Sequence, residues 1–323
     1  MISTHELTKV YPGRRRAPDT PAVDGLSLSI PAGQVTGLLG LNGAGKTTTI
    51  RILATLLRPT SGHATVDGLD VVSQAREVRR RINLIAGGER MVYARLTGRE
   101  NLWYFGQLYD VPRAVLRQRI DDLLDLVGLS HAAGTMVERY SRGMRQRLSI
   151  ARGLINEPAY LLLDEPTLGL DAPIARDLRA VVAGLAERGV GVLLTSHYLA
   201  EVEQLCRSVY VIAAGRLVAT GSPADLKVLT ERRHTVEVTV AAADPVVSAA
   251  VARLAGSAGA ELSEEVDSDD RPRYTLRHRD DLAGALATTV VQAGGAIVRL
   301  EVAEPSLEDA IIALAETPSL VAS

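Results

Sequence analysis

Hydrophobic residues in the first 225 positions form short continuous runs that alternate with segments of helical spacing. The runs at 34–39, 160–163 and 191–195 predict strands that are buried on both faces, as in a parallel sheet. The segments Leu116 to Val127 and Ile174 to Glu187 have the periodicity of helices, and each ends near a glycine. This alternation predicts an α/β fold for the first part of the chain.

The pattern changes near residues 222–234, where polar residues replace the apolar runs. Thr235 to Val240 then alternates strictly between polar and apolar positions, which is typical of a half-buried strand. The remaining periodicities predict the order βαββαβ, a small ferredoxin-like α+β domain. We therefore expect two domains, at 1–228 and 229–323. After its first strand, the second domain is predicted to contain a helix at 245–254, strands at 260–266 and 273–278, a helix at 281–293 and a strand at 296–302.

Composition narrows the possible functions. The chain has 323 residues, is 46% hydrophobic and carries a formal net charge of −2, which indicates a globular protein rather than a bulk nucleic-acid binder. Its one cysteine, Cys206, excludes a disulfide scaffold and a multi-cysteine metal site. The N-terminus lacks the pattern of a signal peptide, and no apolar run approaches the ~20 residues that cross a bilayer. We expect a soluble, cytoplasmic chain that acts at a membrane only through a partner.

A glycine-rich segment with a lysine follows the first predicted strand. Gly40-Leu41-Asn42-Gly43-Ala44-Gly45-Lys46-Thr47-Thr48 fits G-x-x-x-x-G-K-[ST] and precedes a helical stretch. In such a loop, backbone N–H groups and the helix start converge on phosphate oxygens. Lys46 adds a positive charge for the β- and γ-phosphates, and the Thr47 hydroxyl is a magnesium ligand. Because the chain has only three lysines, an ordinary glycine-rich turn explains this one poorly. The segment predicts an ATP and Mg²⁺ site.

Two acids follow the predicted strand at 160–163. Ligands of α/β sheets bind at the carboxyl ends of strands, so Asp164 is placed to hold magnesium, directly or through water. Glu165 is placed to orient and polarise an attacking water as a general base. The alternative is a strand with a solvated acidic end, which the neighbouring phosphate loop makes less favourable.

Several motifs follow one another in a fixed order along the chain. After the phosphate loop come Ser141 to Arg147, Leu163 to Thr167, Gly169 to Asp171 and Thr195 to His197. Over about residues 3–225, this order resembles the ATP-binding subunit of an ABC transporter. The resemblance implies a P-loop NTPase fold with a helical signature subdomain at about 88–155. Within that family, the segments 96–102 and 304–309 resemble exporter ATPases of the daunorubicin/doxorubicin-resistance type.

The resemblance implies roles for residues that act across a dimer. Ser141 and Gly143 match the signature motif, which would present N–H groups and a hydroxyl to the γ-phosphate bound on the opposing subunit. Asp171 matches the loop that crosses the dimer interface. These roles imply a homodimer that closes on two ATP molecules.

Two further residues take their roles from the same resemblance. His197 matches the switch histidine that contacts the γ-phosphate and helps to position Glu165 and water. Tyr11 matches the aromatic residue that stacks on adenine. Without the motif order, a structural role would be the simpler interpretation of His197, and surface packing the simpler one of Tyr11.

The sequence departs from the family pattern at two positions. Arg142 replaces the first glycine of the signature, where it could add charge beside phosphates or reach a partner. Gly87 stands near the position of a glutamine that contributes to the magnesium shell and to coupling. Glycine has no side-chain ligand, so a water, a carbonyl or Glu89 would have to substitute.

The only tryptophan and the only phenylalanine lie close together, at Trp103 and Phe105. Thr97 and Glu100 have the spacing of a capping box that opens a helix here. The family places the docking groove for a membrane subunit in this region, so residues 88–105 are candidates to receive a cytoplasmic helix of a separate permease. Packing inside a helical subdomain is the alternative for each ring.

The favoured function is an ATPase that energises a separate membrane permease to export a drug, lipid, glycan or other small molecule. The alternative is a soluble ABC ATPase that acts on ribosomes, on DNA or as a regulator. A single cassette, the lack of a sustained heptad run and the near-neutral charge disfavour that alternative. The second domain has no catalytic constellation, and either supports dimerisation or binds a regulator.

Overall fold

The computed structural model describes residues 1–13, 19–86, 92–196, 198–229, 234–267, 270–278 and 280–303. The chain divides into two compact units, with the break between Pro223 and Ala224. Within the described ranges, no helix combines the length and the apolar character that a bilayer span requires.

The described residues of the first unit form strands, α-helices and short 3₁₀ turns. The strands are β1 (Ile2–Tyr11), β2 (Thr20–Ile30), β3 (Val35–Leu39), β4 (Ser61–Val66), β5 (Leu69–Asp70), β6 (Ile82–Ala86), β7 (Tyr160–Asp164), β8 (Gly191–Thr195), β9 (Ser208–Ala213) and β10 (Arg216–Gly221). The helices are α1 (Lys46–Leu53), α2 (Ala75–Val78), α3 (Gly98–Leu108), α4 (Arg113–Leu126), α5 (Arg142–Gly153), α6 (Ala172–Glu187) and α7 (Leu199–Leu205), with 3₁₀ turns at Ser130–Ala132 and Val137–Arg139. Helix α8 (Pro223–Leu229) begins at the break between the units.

A six-stranded sheet ordered β10-β9-β3-β8-β7-β6 lies at the centre of the first unit. Its strands run parallel, except that β10 pairs antiparallel with β9 at one edge. Every residue of β3 and β8 is buried, as the continuous apolar runs predict. The three predicted strands are therefore confirmed, and the ends of β3, β8 and β7 lie side by side at one edge of the sheet.

A second, antiparallel sheet of the first unit, ordered β2-β1-β4-β5, is not evident from the sequence pattern. Strand β1 pairs with both β2 and β4, but both pairings contain register shifts. Glu6, in the middle of β1, has a left-handed φ of 46°. These bulges interrupt the alternation of apolar and polar positions by which a half-buried strand is recognised.

The predicted capping box begins helix α3. The Glu100 N–H donates to Thr97 Oγ1 at 3.1 Å, and the Thr97 N–H donates to Glu100 Oε2 at 2.8 Å. Both bonds satisfy amides that the first helical turn leaves unpaired. The capping box is thus confirmed, and it fixes where helix α3 begins.

The second unit has the element order β11 (His234–Val240), α9 (Pro245–Ala258), β12 (Glu261–Val266), β13 (Pro272–His278), α10 (Ala283–Gln292) and β14 (Ile297–Ala303). Its strands form an antiparallel sheet ordered β12-β13-β11-β14, which is the arrangement of a split βαβ fold. Alternate residues of β11, beginning at Val236, pack on α9 and α10. The opposite face of this sheet carries Glu237, Arg273, Arg299 and Glu301 around a cavity of about 60 Å³.

Candidate functional site

The phosphate loop follows β3, and at two of its glycines, Gly40 and Gly45, any side chain would clash with a neighbouring backbone. Gly45 has a φ of 107°, and a Cβ there would lie 2.3 Å from the Ala22 carbonyl oxygen. A Cβ at Gly40, with a φ of 153°, would lie 2.2 Å from the Ile212 carbonyl oxygen. The backbone can therefore curl tightly between β2 and β9 before α1 begins. Gly45 is also the N-cap of α1 and has no side chain to accept bonds from the first-turn amides.

The side chain of Lys46 folds back on the phosphate loop. Its Nζ donates to the carbonyl oxygens of Gly40 at 2.7 Å and Leu41 at 3.2 Å. The residue is only 7% exposed, and this burial lowers the pKa of the ammonium group, whereas the negative charges of Glu165 and Asp164 oppose the shift. A phosphate bound in the loop would replace part of the solvation that the buried cation has lost.

Asp164 lies at the carboxyl end of β7 and is held by hydroxyls from two directions. Thr195, its parallel partner on β8, donates to Asp164 Oδ1 at 2.6 Å. Thr47, in the first turn of α1, donates to Asp164 Oδ2 at 3.3 Å. The carboxylate and the Thr47 hydroxyl thus face each other at the loop, and both are oxygen ligands of the kind that Mg²⁺ prefers.

Glu165 has a left-handed backbone conformation, with a φ of 54°. Its N–H donates to the Thr195 carbonyl oxygen at 3.0 Å, which anchors the turn to the neighbouring strand. A left-handed glutamate costs about 1 kcal/mol or more and persists where surrounding structure fixes it, often at functional sites. Here the turn brings Glu165 to the phosphate loop.

An open cavity of about 280 Å³ brings the two predicted motifs together. Its lining is Ala22, Asn42, Gly43, Ala44, Gly45, Lys46, Thr47, Thr48 and Glu165. Tyr11 is 39% exposed and pairs with Thr20 on β2, the strand whose Ala22 approaches the loop. Lys9 Nζ lies 5.6 Å from the centre of the Tyr11 ring.

The residues predicted to act in trans form a second group. Ser141 is the N-cap of α5, and its Oγ accepts from the Met144 N–H at 3.2 Å. Gly143 is buried, and a Cβ there would lie 2.7 Å from two carbons of Ile174, near the start of α6. Asp171 is exposed and occupies the N-cap position of α6. The start of the signature helix and the start of α6 are therefore in direct contact.

A buried glutamate behind the site is not apparent from the sequence. Glu201 is 1% exposed, and its Oε2 accepts from Ser196 Oγ and, at 3.0 Å, from Thr167 Oγ1. Burial raises the pKa of Glu201, although the two hydroxyls and Arg179 oppose the shift. Through these two hydrogen bonds, the Glu201 carboxyl connects the segment after Glu165 with the segment after β8. A single acid on a short helix gives no local signal of the contact with Thr167, because the two residues are 34 positions apart.

Some predicted features lie outside the described residues. These are His197, the stretch at 87–91 that includes Gly87 and Glu89, and the exporter-like segment at 304–309. Of the predicted docking region, Trp103 and Tyr104 are exposed. Phe105 is partly buried, with the Arg152 guanidinium 5.0 Å from the centre of its ring.

The chain is similar to known ATP-binding proteins of transporters. Residues 23–168 match the family model described as ABC transporter. The daunorubicin/doxorubicin resistance ATP-binding protein DrrA of Streptomyces peucetius is 47% identical over 226 residues, covering 70% of this chain and 66% of that protein. The daunorubicin resistance ATP-binding protein DrrA2 of Streptomyces coeruleorubidus is 41% identical over 306 residues, covering 93% and 92%.

A solved structure has the same fold. It is cbiO1 from Clostridium perfringens, described as part of the ABC transporter complex cbiONQ. It superposes with a TM-score of 0.63 at 25% identity, and the match covers 70% of this chain and 89% of cbiO1.

Proposed function

The chain belongs to the ABC transporter family of ATP-binding proteins, and from that premise we propose that it hydrolyses ATP to drive export through a separate membrane permease. The observation that carries the proposal is the meeting of Lys46, Thr47, Asp164 and Glu165 at one edge of the central sheet. A phosphate loop alone binds a nucleotide. A carboxylate beside the loop adds the means to activate water for hydrolysis.

The ATP phosphates bind along the loop from Gly40 to Thr48, where backbone N–H groups and the uncapped start of α1 donate to their oxygens. Lys46 neutralises negative charge on the β- and γ-phosphates. The Glu165 carboxylate accepts a proton from the attacking water, and His197 helps to hold the water and the γ-phosphate. Tyr11 stacks on the adenine.

Asp164 and Thr47 are suited to hold Mg²⁺ together with phosphate oxygens. Their oxygens already face each other at 3.3 Å, and Thr195 fixes the orientation of the carboxylate. When bound, the ion neutralises charge on the β- and γ-phosphate oxygens.

Two copies of the chain close on two ATP molecules. Ser141 and Gly143 of each copy donate to the γ-phosphate bound on the other, and Asp171 lies at the interface. Their grouping at the adjoining starts of α5 and α6, separate from the phosphate cavity lining, supports this division.

The relatives support an exporter of small molecules, because two of them are described as daunorubicin resistance proteins. We place the chain on the cytoplasmic face of the membrane, bound to its permease. Exposed Trp103 and Tyr104 are part of the proposed docking surface. Residues 1–228 form the ATPase domain, and residues 229–323 support dimerisation.

Substitution of Glu165 by Gln tests the proposal. We expect Glu165→Gln to bind ATP and form a stable dimer, while its turnover falls by about 10²-fold or more, because the amide cannot act as the base. Phosphate release and light scattering with ATP measure both effects. Glu187→Gln, at the exposed end of α6, is the matched control and should retain wild-type turnover.

Two outcomes would contradict this function. Unchanged turnover in Glu165→Gln would remove Glu165 from the role of base. Turnover per protomer that does not depend on protein concentration would argue against the shared site.

A further inference from the structure

Arg142 is the residue at which the signature departs from its family pattern, and its side chain is directed toward its own subunit. Arg142 Nη2 donates to the Leu168 carbonyl oxygen at 2.9 Å. Leu168 belongs to the segment between Glu165 and Asp171. The contact therefore joins the start of the signature helix to the loop that connects the proposed base with the proposed interface residue.

Gly169 allows this contact to be close. A Cβ at Gly169 would lie 2.3 Å from Arg142 Nη1 and 2.5 Å from Arg142 Cζ. The guanidinium thus lies directly over the backbone of residues 168–169. Gly169 also has a left-handed φ of 69°, which favours glycine, and a side chain at this position would displace the guanidinium.

Arginine is a poor choice for helix α5 itself. Arg142 is the first residue of the helix, where the partial positive charge of the aligned peptides disfavours a cation. No acidic residue occupies the first turn of α5 to offset it. A residue that is unfavourable for its own helix often serves a contact elsewhere in the fold. For Arg142 that contact is the hydrogen bond to the Leu168 carbonyl oxygen.

We propose that Arg142 is a positioning residue that binds the segment Thr167–Asp171 to the start of the signature helix within one subunit. This inference rests on the proposed function. The two parts that a subunit presents to its partner's nucleotide, at Ser141 and at Asp171, then move as one body. Closure of the dimer would bring both to the phosphates in a single step.

The neighbouring contact between Gly143 and Ile174 brings the same two helix starts together but is purely apolar. It fixes how closely α5 and α6 approach. It offers the loop at Leu168 no directional bond, whereas the planar guanidinium does. The loss of Arg142 should therefore release the loop and leave the packing of the helices intact.

The first experiment replaces Arg142 in the full-length protein and measures kcat and KM for ATP. Arg142→Met keeps the length of the side chain and removes the donors. We expect kcat to fall about tenfold because the loop is misplaced, with KM changed by less than about twofold. Arg142→Lys restores one donor and should recover part of the lost rate.

Arg147→Met is the matched control. Arg147 lies on the same helix and its Nη2 binds Asp177 Oδ2 of α6 at 2.7 Å, so its loss also breaks a link between α5 and α6. It does not touch the loop, and we expect its kcat to stay within about twofold of wild type. Equal kcat values for Arg142→Met and Arg147→Met would overturn the proposal. So would a KM that rises in parallel with the loss of rate, because that result would indicate direct binding of ATP by Arg142.

A double-mutant cycle gives a second test that does not depend on one variant. Gly169→Ala should lower kcat in the wild-type background, since its methyl group displaces the guanidinium. In an Arg142→Gly background there is no guanidinium to displace, so the same change should lower kcat several-fold less. Independent, multiplicative losses would overturn the proposal.

The Glu165→Gln variant keeps the two questions apart. Trapping of an ATP-bound dimer by that variant, together with turnover by wild type, upholds the proposed function whatever Arg142 does. If trapping fails, the proposed function fails, and the role of Arg142 fails with it.

Discussion

The central sheet of the first unit and the sheet of the second unit differ in where they place charged residues. The central sheet of the first unit has strands that are buried along their whole length, such as β3 and β8. Its chemistry therefore lies where the strands end, at Asp164 and Thr195. In the sheet of the second unit, as far as its residues are described, helices pack on one face, and charged residues such as Glu237 and Arg299 line the other. Covering both faces of a sheet confines its charged groups to the ends of the strands.

The two units also differ in how their cations are held, buried at the phosphate loop and exposed on the sheet of the second unit. Lys46 is 7% exposed and is held by backbone carbonyls close to two acids. Arg299, in contrast, forms an ion pair with Glu301 at 2.5 Å, and both side chains are about half exposed or more. An exposed pair contributes about 0–1 kcal/mol, whereas a buried cation has a strong interaction to gain from a ligand.

The largest effect should come from the buried cation. Lys46→Ala removes the charge directed at the phosphates, and we expect ATP affinity to fall by about 10²-fold or more. Arg299→Ala, on β14 in the sheet of the second unit, is the matched change and should leave ATP affinity unchanged. Calorimetric titration with ATP measures both. Similar losses of ATP affinity in the two variants would contradict the distinction between the buried cation at the phosphate loop and the exposed cation of the second unit.

An effect of comparable size, on stability rather than on ATP binding, is expected from the core of the second unit. Leu276 is fully buried, and Leu276→Ala should lower the unfolding free energy of that unit by about 2–5 kcal/mol. Hydrogen exchange resolved by segment would locate the loss. Leu276→Met, which conserves volume, should cost less than about 1.5 kcal/mol. A parallel fall in ATP affinity would show that the units are energetically coupled.

The smallest effect concerns Glu201, whose pKa is raised by burial above its ordinary value of 4.5. The folded chain then binds this proton more tightly than the unfolded chain. The contribution of Glu201 to stability is therefore fullest below pH 4.5 and declines as the pH rises through the raised pKa. Each unit by which the pKa is raised corresponds to about 1.4 kcal/mol.

Glu201→Gln keeps the shape of the side chain and removes the titration. We expect the stability of wild type relative to this variant to decline from pH 4.5 upward, measured by urea unfolding at a series of pH values. Glu187→Gln is the control, because it shows how the stability changes with pH when an exposed acid is removed. A difference between wild type and Glu201→Gln that does not vary with pH would refute the assignment of this buried carboxyl.

Local patterns were sufficient for the parts of the fold that repeat within a few residues. The buried strands, the phosphate loop and the capping box at Thr97 each depend on neighbours in sequence. Strand β1 was not recognised because the left-handed Glu6 and its bulges disturb the alternation on which such recognition depends. The strand is specified instead by pairing with β4, far along the chain.

The site shows the same limit. Asp164 and Glu165 could be placed because the carboxyl ends of parallel strands share an edge. The hydrogen bond between Glu201 and Thr167 could not, since the two residues are 34 positions apart and meet only when α7 packs beside the turn after β7. The sequence also left open whether Arg142 adds charge beside phosphates or reaches a partner. Its bond to Leu168 spans 26 positions and has no local signature.

The glycine that caps α1 has a consequence for the life of the protein in a cell. Because Gly45 offers no side-chain acceptor, a bound nucleotide would pair with the first amides of the helix. It would then add to stability in proportion to the logarithm of its concentration. At a hundred times the dissociation constant this addition is about 2.7 kcal/mol. When the ATP concentration falls, a larger fraction of the chains would be unfolded and open to proteases. The amount of this protein in the cell would therefore follow the ATP concentration.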